Sequence, residues 1–147
     1  MTSYVGPELP LISTDILGWL TELMPSERFF PGPDLPKYPG RCAVVSPNQG
    51  GGLTLEMAYD QPAFQVHVVG AQSRDGRVNA AFADAERFIY RIDRFILNTD
   101  YPTEIAGHRV LYAQRFGSGP TPLPVDTAGR AHFTATYMLE AESGYGR

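Results

Sequence analysis

The segment from Asp75 to Leu97 constrains the fold more than any other part of the chain. Its apolar residues recur at intervals of three and four, which places them on one broad stripe of a helix. The stripe comprises Val78, Ala81, Phe82, Ala85, Phe88, Ile89, Ile92, Phe95 and Ile96. Asp75 is a suitable N-cap, since its carboxylate can accept a hydrogen bond from a first-turn amide. A helix with this stripe needs a large apolar surface, so we expect strands on either side to supply one.

Size and charge restrict the class of protein. With 147 residues, the chain has the length of one domain and can bury a substantial core. Its 12 basic and 16 acidic residues give a net charge of −4, which argues against an extended duplex-binding face. The single cysteine, Cys42, excludes an intrachain disulfide. Because no secretion signal and no apolar run of membrane-spanning length is present, we expect synthesis in the cytoplasm and no membrane partner.

Six further segments complete the secondary-structure prediction. Ser13, Thr14 and Asp15 are N-cap candidates for a first helix, which ends before Pro25 because proline cannot continue the helical hydrogen bonds. Residues 53–69 are expected to form one antiparallel hairpin that turns at Asp60-Gln61-Pro62. The five predicted strands cover residues 42–45, 53–59, 64–69, 109–116 and 131–139.

The resulting order, α-β-β-β-α-β-β, predicts an α+β fold. We expect a single domain over residues 1–147, in which an antiparallel (mixed) sheet carries its helices on one face. Residues 1–12 are predicted to be an irregular arm, and residues 140–147 a loose tail. The chain contains no internal repeat.

The sequence gives little support for catalysis. His67, His108 and His132 show no metal-binding spacing, and no paired cysteines are present, so neither a metal nor a cofactor is predicted. Cys42 lies in an apolar run typical of a buried strand and is expected to be inert. We therefore predict a non-enzymatic protein. One alternative is a stand-alone α+β domain that binds a small ligand near His67 and His132.

Two long loops rich in Pro and Gly favour an interaction role. Residues 25–40 contain the adjacent aromatics Phe29 and Phe30, which either pin the loop to the body or contact another chain. Residues 117–130 carry three prolines, three glycines and Leu123. A connection of this length inside a compact domain is usually functional or disordered. Neighbouring chains could order both loops, with strand addition at an open sheet edge as one route.

Three segments resemble the tail terminator proteins of long-tailed bacteriophages, which are also described as minor capsid proteins. They are the opening helix, Ile12 to Met24; the stretch FQVHVVGAQSRDGRVNAAFADAERFIYRIDRFI; and the end, SGPTPLPVDTAGRAHFTATYMLE. The last stretch resembles the family's proline-bearing loop, followed by Asp126, Gly129-Arg130 and an alternating final strand. Together the segments cover most of residues 12–142, and the order of elements also agrees.

This resemblance implies a structural protein of the virion neck, made in the host cytoplasm. It implies a homohexamer, a ring of six copies that caps the finished tail tube, stops its polymerisation and presents a surface to the head–tail connector or stopper protein. DNA would pass through the lumen without specific binding. Another neck or head-completion protein is the alternative within this class. We assign subunit or tube contacts to the two loops, and specifically to Phe29, Phe30, Pro120, Leu123, Asp126 and Arg130.

Overall fold

The structure is a computed structural model that describes residues 11–48, 52–54, 59–72, 78–117 and 119–142. Two helices, α1 (Ser13–Leu23) and α2 (Val78–Asn98), accompany nine strands within these residues. The strands are β1 (Phe29–Pro31), β2 (Cys42–Pro47), β3 (Gly52–Thr54), β4 (Tyr59–Gln61), β5 (Ala63–Val69), β6 (Thr103–Ile105), β7 (His108–Arg115), β8 (Thr121–Leu123) and β9 (His132–Glu142). The predicted fold class and the order of helices and strand groups are confirmed.

Strand β9 is the centre of the sheet. On one side it pairs antiparallel with β5 and β4, and on the other side with β7 and β8. Beyond β5 lie β2 and then β1, which pairs with β2 in parallel and makes the sheet mixed. On the other side, β6 is the outer strand beyond β7. Side chains at alternating positions of these strands therefore form an inner face, which the helices cover, and an outer face.

The predicted hairpin over residues 53–69 is wrong in its pairing. Strands β4 and β5 do not pair with each other; both pair with β9, one after the other along its length. Pro62 lies between them and accepts a hydrogen bond from the Leu139 amide at 3.0 Å, so the chain passes straight through the predicted turn. Strand β5 pairs with β2, and β4 pairs with β3. Residues 55–58 and 49–51 lie outside the described residues.

Helix α2 buries most of the predicted stripe. Ala85, Phe88, Ile89, Ile92 and Ile96 are completely buried against the inner face of the sheet. Phe95 is a correction, because its side chain is 39% exposed on the outer surface of the helix. Asp75, the predicted N-cap, and the side chain of Val78 lie outside what the structure describes.

Both ends of the described chain differ from the prediction. The N-cap of α1 is Ile12, and its amide donates to the Asp15 carboxylate at 3.1 Å, so Asp15 acts from inside the first turn. Leu11 and Ile12, the described part of the predicted irregular arm, belong to no helix or strand, and Leu11 is only 2% exposed and packs in the core. At the other end, β9 continues to Glu142, so residues 140–142 are strand and not loose tail.

Strand β7 does not keep the predicted alternation. Val110 is buried but Tyr112 is 40% exposed, although the two are two positions apart and would share a face of a regular strand. The register with β9 shifts between these residues, which places Ala113 against the core instead. Such a bulge opposes two residues to one and reverses which side chains point inward.

Candidate interaction surfaces

The loop between β8 and β9 is held in shape by Asp126. Its Oδ1 accepts hydrogen bonds from the amides of Ala128 and Arg130, each at 2.9 Å. Gly129 has a φ of +77°, a conformation that an L side chain rarely adopts, and its amide donates to the Asp126 carbonyl at 3.0 Å. The sequence D-T-A-G-R thus closes into a compact turn in which an Asp side chain replaces backbone partners.

Arg130 ties this turn to two distant parts of the chain. Its Nε donates to the Gly70 carbonyl at 2.7 Å, just after β5, and an Nη donates to the Gly40 carbonyl at 2.7 Å. Both bonds are charge-assisted, which makes them stronger than bonds between neutral groups. The guanidinium also lies close to Cys42, but burial dominates there and raises the pKa of the thiol. Cys42 is buried, as predicted.

A chain of three side chains connects the turn to the outer face of the sheet. Asp126 Oδ2 lies 2.7 Å from His132 Nε2, and His132 Nδ1 lies 2.8 Å from His67 Nε2. Burial and the nearby His132 lower the pKa of His67. Burial alone would raise the pKa of Asp126, but hydrogen bonds from His132 and from two amides bring it below its ordinary value. Both ring nitrogens of His132 are therefore engaged within the chain.

These bonds present one short apolar segment to solvent. Leu123 is 39% exposed and Val125 is 47% exposed, on a strand and turn whose neighbours are hydrogen-bonded to β9. Pro120 is half-buried. Of the residues predicted to contact partners in this loop, Leu123 is thus available at the surface, whereas Asp126 and Arg130 use their polar groups inside the subunit.

Phe29 pins the loop over residues 25–40 to the body, whereas Phe30 packs inside the loop. Phe29 packs on Phe88 of α2 with ring centroids 6.1 Å apart, and Phe30 packs on Tyr38 at 5.6 Å. Arg41 lies over the same Phe88 ring at 4.4 Å. Both Phe side chains are half-buried, and they form β1 beside β2. The partner contact predicted for these two residues remains a prediction.

Sequence reasoning missed a second polar network, on the inner face of the sheet. Asp93 of α2 is only 3% exposed, and it accepts hydrogen bonds from Arg115 Nε at 3.0 Å and from Arg115 Nη at 2.6 Å. The buried Tyr137 hydroxyl donates to the same carboxylate at 2.7 Å, and burial raises the pKa of Tyr137. This network joins α2 to β7 and β9. The sequence signal that could have indicated this network is Asp93, which directly follows Ile92 of the apolar stripe.

Other kinds of site lack support in the described residues. Within those ranges no group of three or more His, Cys, Asp or Glu side chains is placed to hold a metal ion. Nor does any helix there have the length and apolar character needed to cross a bilayer.

Comparison with known proteins identifies the fold. No protein-family model matches the sequence, and no curated protein matches it either. A chain from the virion of a native gene transfer agent (GTA) particle superposes with a TM-score of 0.58 at 13% identity, covering 84% of both chains. A second solved chain superposes with a TM-score of 0.52 at 14% identity, covering 88% of this chain and 89% of its own length. At these identities the similarity shows that the fold is shared.

Proposed function

We propose that this chain is a structural, non-enzymatic virion protein that caps a phage tail tube as a ring of six copies. In this role it stops tube polymerisation and offers a surface to the head–tail connector. One observation carries the proposal: the fold is shared over 84% of both chains with a component of a GTA virion. The tail-terminator resemblance of three sequence segments, which together span most of residues 12–142, supports the more specific role.

The physical properties of the chain suit a closed ring. Six copies joined head to tail use two different surfaces of each subunit and leave no surface unsatisfied. The net charge of −4 suits a channel through which DNA slides without sticking. His67 and His132 would line the site in the alternative in which the chain binds a small ligand. They are hydrogen-bonded to each other, and His132 is also hydrogen-bonded to Asp126.

We assign the contact with the tail tube to the exposed segment at Leu123 and Val125. An apolar contact is most effective when its backbone is already ordered, because binding then costs less conformational entropy. The Asp126 turn and the Arg130 bonds supply that order before any partner arrives. In this proposal Asp126 and Arg130, whose polar groups bond within the subunit, act by holding the segment in place.

Electron microscopy of tails assembled with and without the protein tests the role. Tails of uncontrolled length are expected in its absence. Tails of normal length that fail to join heads would instead indicate the alternative, a neck or head-completion protein. Unchanged tails that join heads normally would contradict both.

Point substitutions test the assigned segment. The double variant Leu123→Asp/Val125→Asp should fold, since both side chains are exposed, but should fail to cap tubes. The control is Tyr112→Asp, which adds one carboxylate, half the charge of the double variant, at a strand position with a similar exposure of 40%. Normal capping by the double variant would show that the contact lies elsewhere.

A further inference from the structure

The outer surface of α2 exposes aromatic side chains among arginines. Tyr90 is 46% exposed and Phe95 is 39% exposed, and Arg87, Arg91 and Arg94 lie beside them at helical spacing. We call these five residues the arginine surface. A groove of about 540 Å³ lies along it, lined by Leu23, Arg91, Arg94, Phe95, Asn98 and Thr99. A second groove of about 340 Å³ continues past Arg87 and Tyr90, and its lining also includes one acidic residue, Glu86.

Contacts within the subunit leave the arginine surface exposed. Arg91 bonds Glu27 at 2.6 Å, yet its side chain remains 49% exposed, and Arg87 and Arg94 are both exposed. Arg, Tyr and Phe are the residues enriched where proteins bind each other, and contiguous exposed apolar area usually marks such a site. The composition therefore favours a protein partner whose surface is acidic.

A surface of that kind exists elsewhere on the same chain. A groove of about 270 Å³ lies between α1 and the turn after β6, and it is lined by Thr14, Asp15, Gly18, Trp19, Glu22, Glu104, Ile105 and Ala106. Three of these described residues are acidic, and none of them is basic. We call Asp15, Glu22 and Glu104 the acidic groove. Ile12, which is 53% exposed, precedes it and adds apolar area.

We propose that the arginine surface of one copy docks into the acidic groove of the next copy. The proposal deepens the ring and rests on it, because it names the two subunit surfaces that a head-to-tail ring requires. Arg87 and Arg94 meet the carboxylates of Glu22 and Glu104, all four of which are exposed. Each side also brings apolar side chains: Phe95 and Leu23 on one, and Ile12 on the other.

The position of α1 makes the two surfaces distinct. Glu22 lines the acidic groove, whereas its neighbour Leu23 lines the groove along α2. Successive residues of a helix point about 100° apart, so the two surfaces lie on different sides of α1. Each copy therefore offers one surface of each kind. Because a chain of net charge −4 repels its copies at long range, complementary charge at the contact decides which faces meet.

A charge-swap series tests the docking. The variants are Arg87→Glu/Arg94→Glu, Glu22→Arg/Glu104→Arg, and the combination of all four changes. Arg91 is left unchanged because it bonds Glu27 within the subunit. Self-association is measured by sedimentation of concentrated protein and, if the wild type sediments as a monomer, by retention on purified tails. Arg28→Glu/Asp34→Arg is the control for the combined variant, since it also leaves the net charge unchanged and reverses one exposed charge of each sign outside both surfaces.

Each single-surface variant should associate at least about tenfold more weakly, because like charges then face each other. The combined variant should recover wild-type association, since its charges are complementary again. A combined variant as weak as the single-surface variants, or single-surface variants as strong as the control, would overturn the proposal. Unfolding midpoints within the range of the control exclude misfolding as the cause of a loss.

Three further outcomes separate this proposal from others. If Arg87→Glu/Arg94→Glu loses binding to duplex DNA while self-association is unchanged, the arginine surface serves nucleic acid and the docking proposal fails. If single-surface variants lose self-association but tail length never depends on the protein, the docking stands and the tail-capping role fails. Normal capping by variants that cannot associate would remove the docking proposal and leave the capping role intact.

Discussion

The two faces of strand β9 each carry a polar network, and the two networks differ in what they hold. On the inner face, Tyr137 and Arg115 bond Asp93 and fasten α2 to the sheet. On the outer face, His132 bonds His67 and Asp126 and fastens the loop that carries Leu123. The inner network is built on a buried carboxylate that bonds a guanidinium and a phenol. The outer network includes His67, whose pKa is lowered by burial and by the nearby His132.

Exposure to water sets the energetic difference between these networks. The side chain of Asp93 is 4% exposed, so a broken bond there leaves a buried group that water cannot reach. The side chain of Asp126 is 35% exposed, so water can replace part of what it loses. A loss in the inner network should therefore destabilise the whole domain, whereas a loss in the outer network should affect mainly one loop.

The largest expected effect is that of Asp93→Ala. It should lower the free energy of unfolding by about 3 kcal/mol, because the buried Tyr137 hydroxyl loses its acceptor and Arg115 its partner. Arg115 is 43% exposed and can turn to solvent, which keeps the loss at the lower end of the usual range for broken buried pairs. Equilibrium unfolding in urea measures it, with Tyr137→Phe as the comparison at about 1 kcal/mol. A smaller loss for Asp93→Ala than for Tyr137→Phe would reverse the proposed ranking of the two groups.

An intermediate effect is expected for Asp126→Ala, at about 1–2 kcal/mol. His132 loses an acceptor and so do the amides of Ala128 and Arg130, but the site is partly exposed. Hydrogen exchange should accelerate in residues 119–130 and stay unchanged in α2. Thr127→Ala, an exposed neighbour, is the control. Equal acceleration in α2 would show that the two faces are not independent.

The smallest effect concerns pH. Because burial and His132 lower the pKa of His67 from its ordinary value of 6.5, the unfolded chain takes up this proton first as the pH falls. The free energy of unfolding should therefore decline as the pH falls below about 7, through the ordinary pKa of histidine. Asp126, with a pKa lowered from 3.8, adds its own loss only in more acidic solution. Denaturation across this range should show a weaker decline in His67→Gln, and an identical decline would exclude His67 as the source.

Residue spacing was sufficient to predict the elements that run through the core. The alternation of Phe133, Ala135, Tyr137 and Leu139 and the stripe of α2 follow from the periods of a strand and a helix, and the structure buries both. The width of the stripe was overestimated at Phe95, because the sheet covers a narrower sector of the helix than nine apolar residues occupy. Spacing identifies a candidate face but not the surface that covers it.

Strand pairing and the polar networks could not be predicted from spacing. Arg115 and Tyr137 are 22 and 44 residues from Asp93, and His67 is 65 residues from His132, so only the fold brings them together. The turn at Asp60-Gln61-Pro62 was favoured by residue type, yet the Pro62 carbonyl fits into a continuous extended run beside β9. Composition alone does not distinguish a proline in a turn from one between two collinear strands.

Strands β1 and β6, at two edges of the sheet, are short, and this limits their pairing with other chains. Strands β1 and β6 are three residues long, and β1 ends in a proline, which has no amide hydrogen to donate. Edge strands this short offer few unpaired backbone groups to a strand of another chain, which disfavours aggregation. Recognition of a partner is then left to side chains, which discriminate between partners better than main-chain hydrogen bonds do.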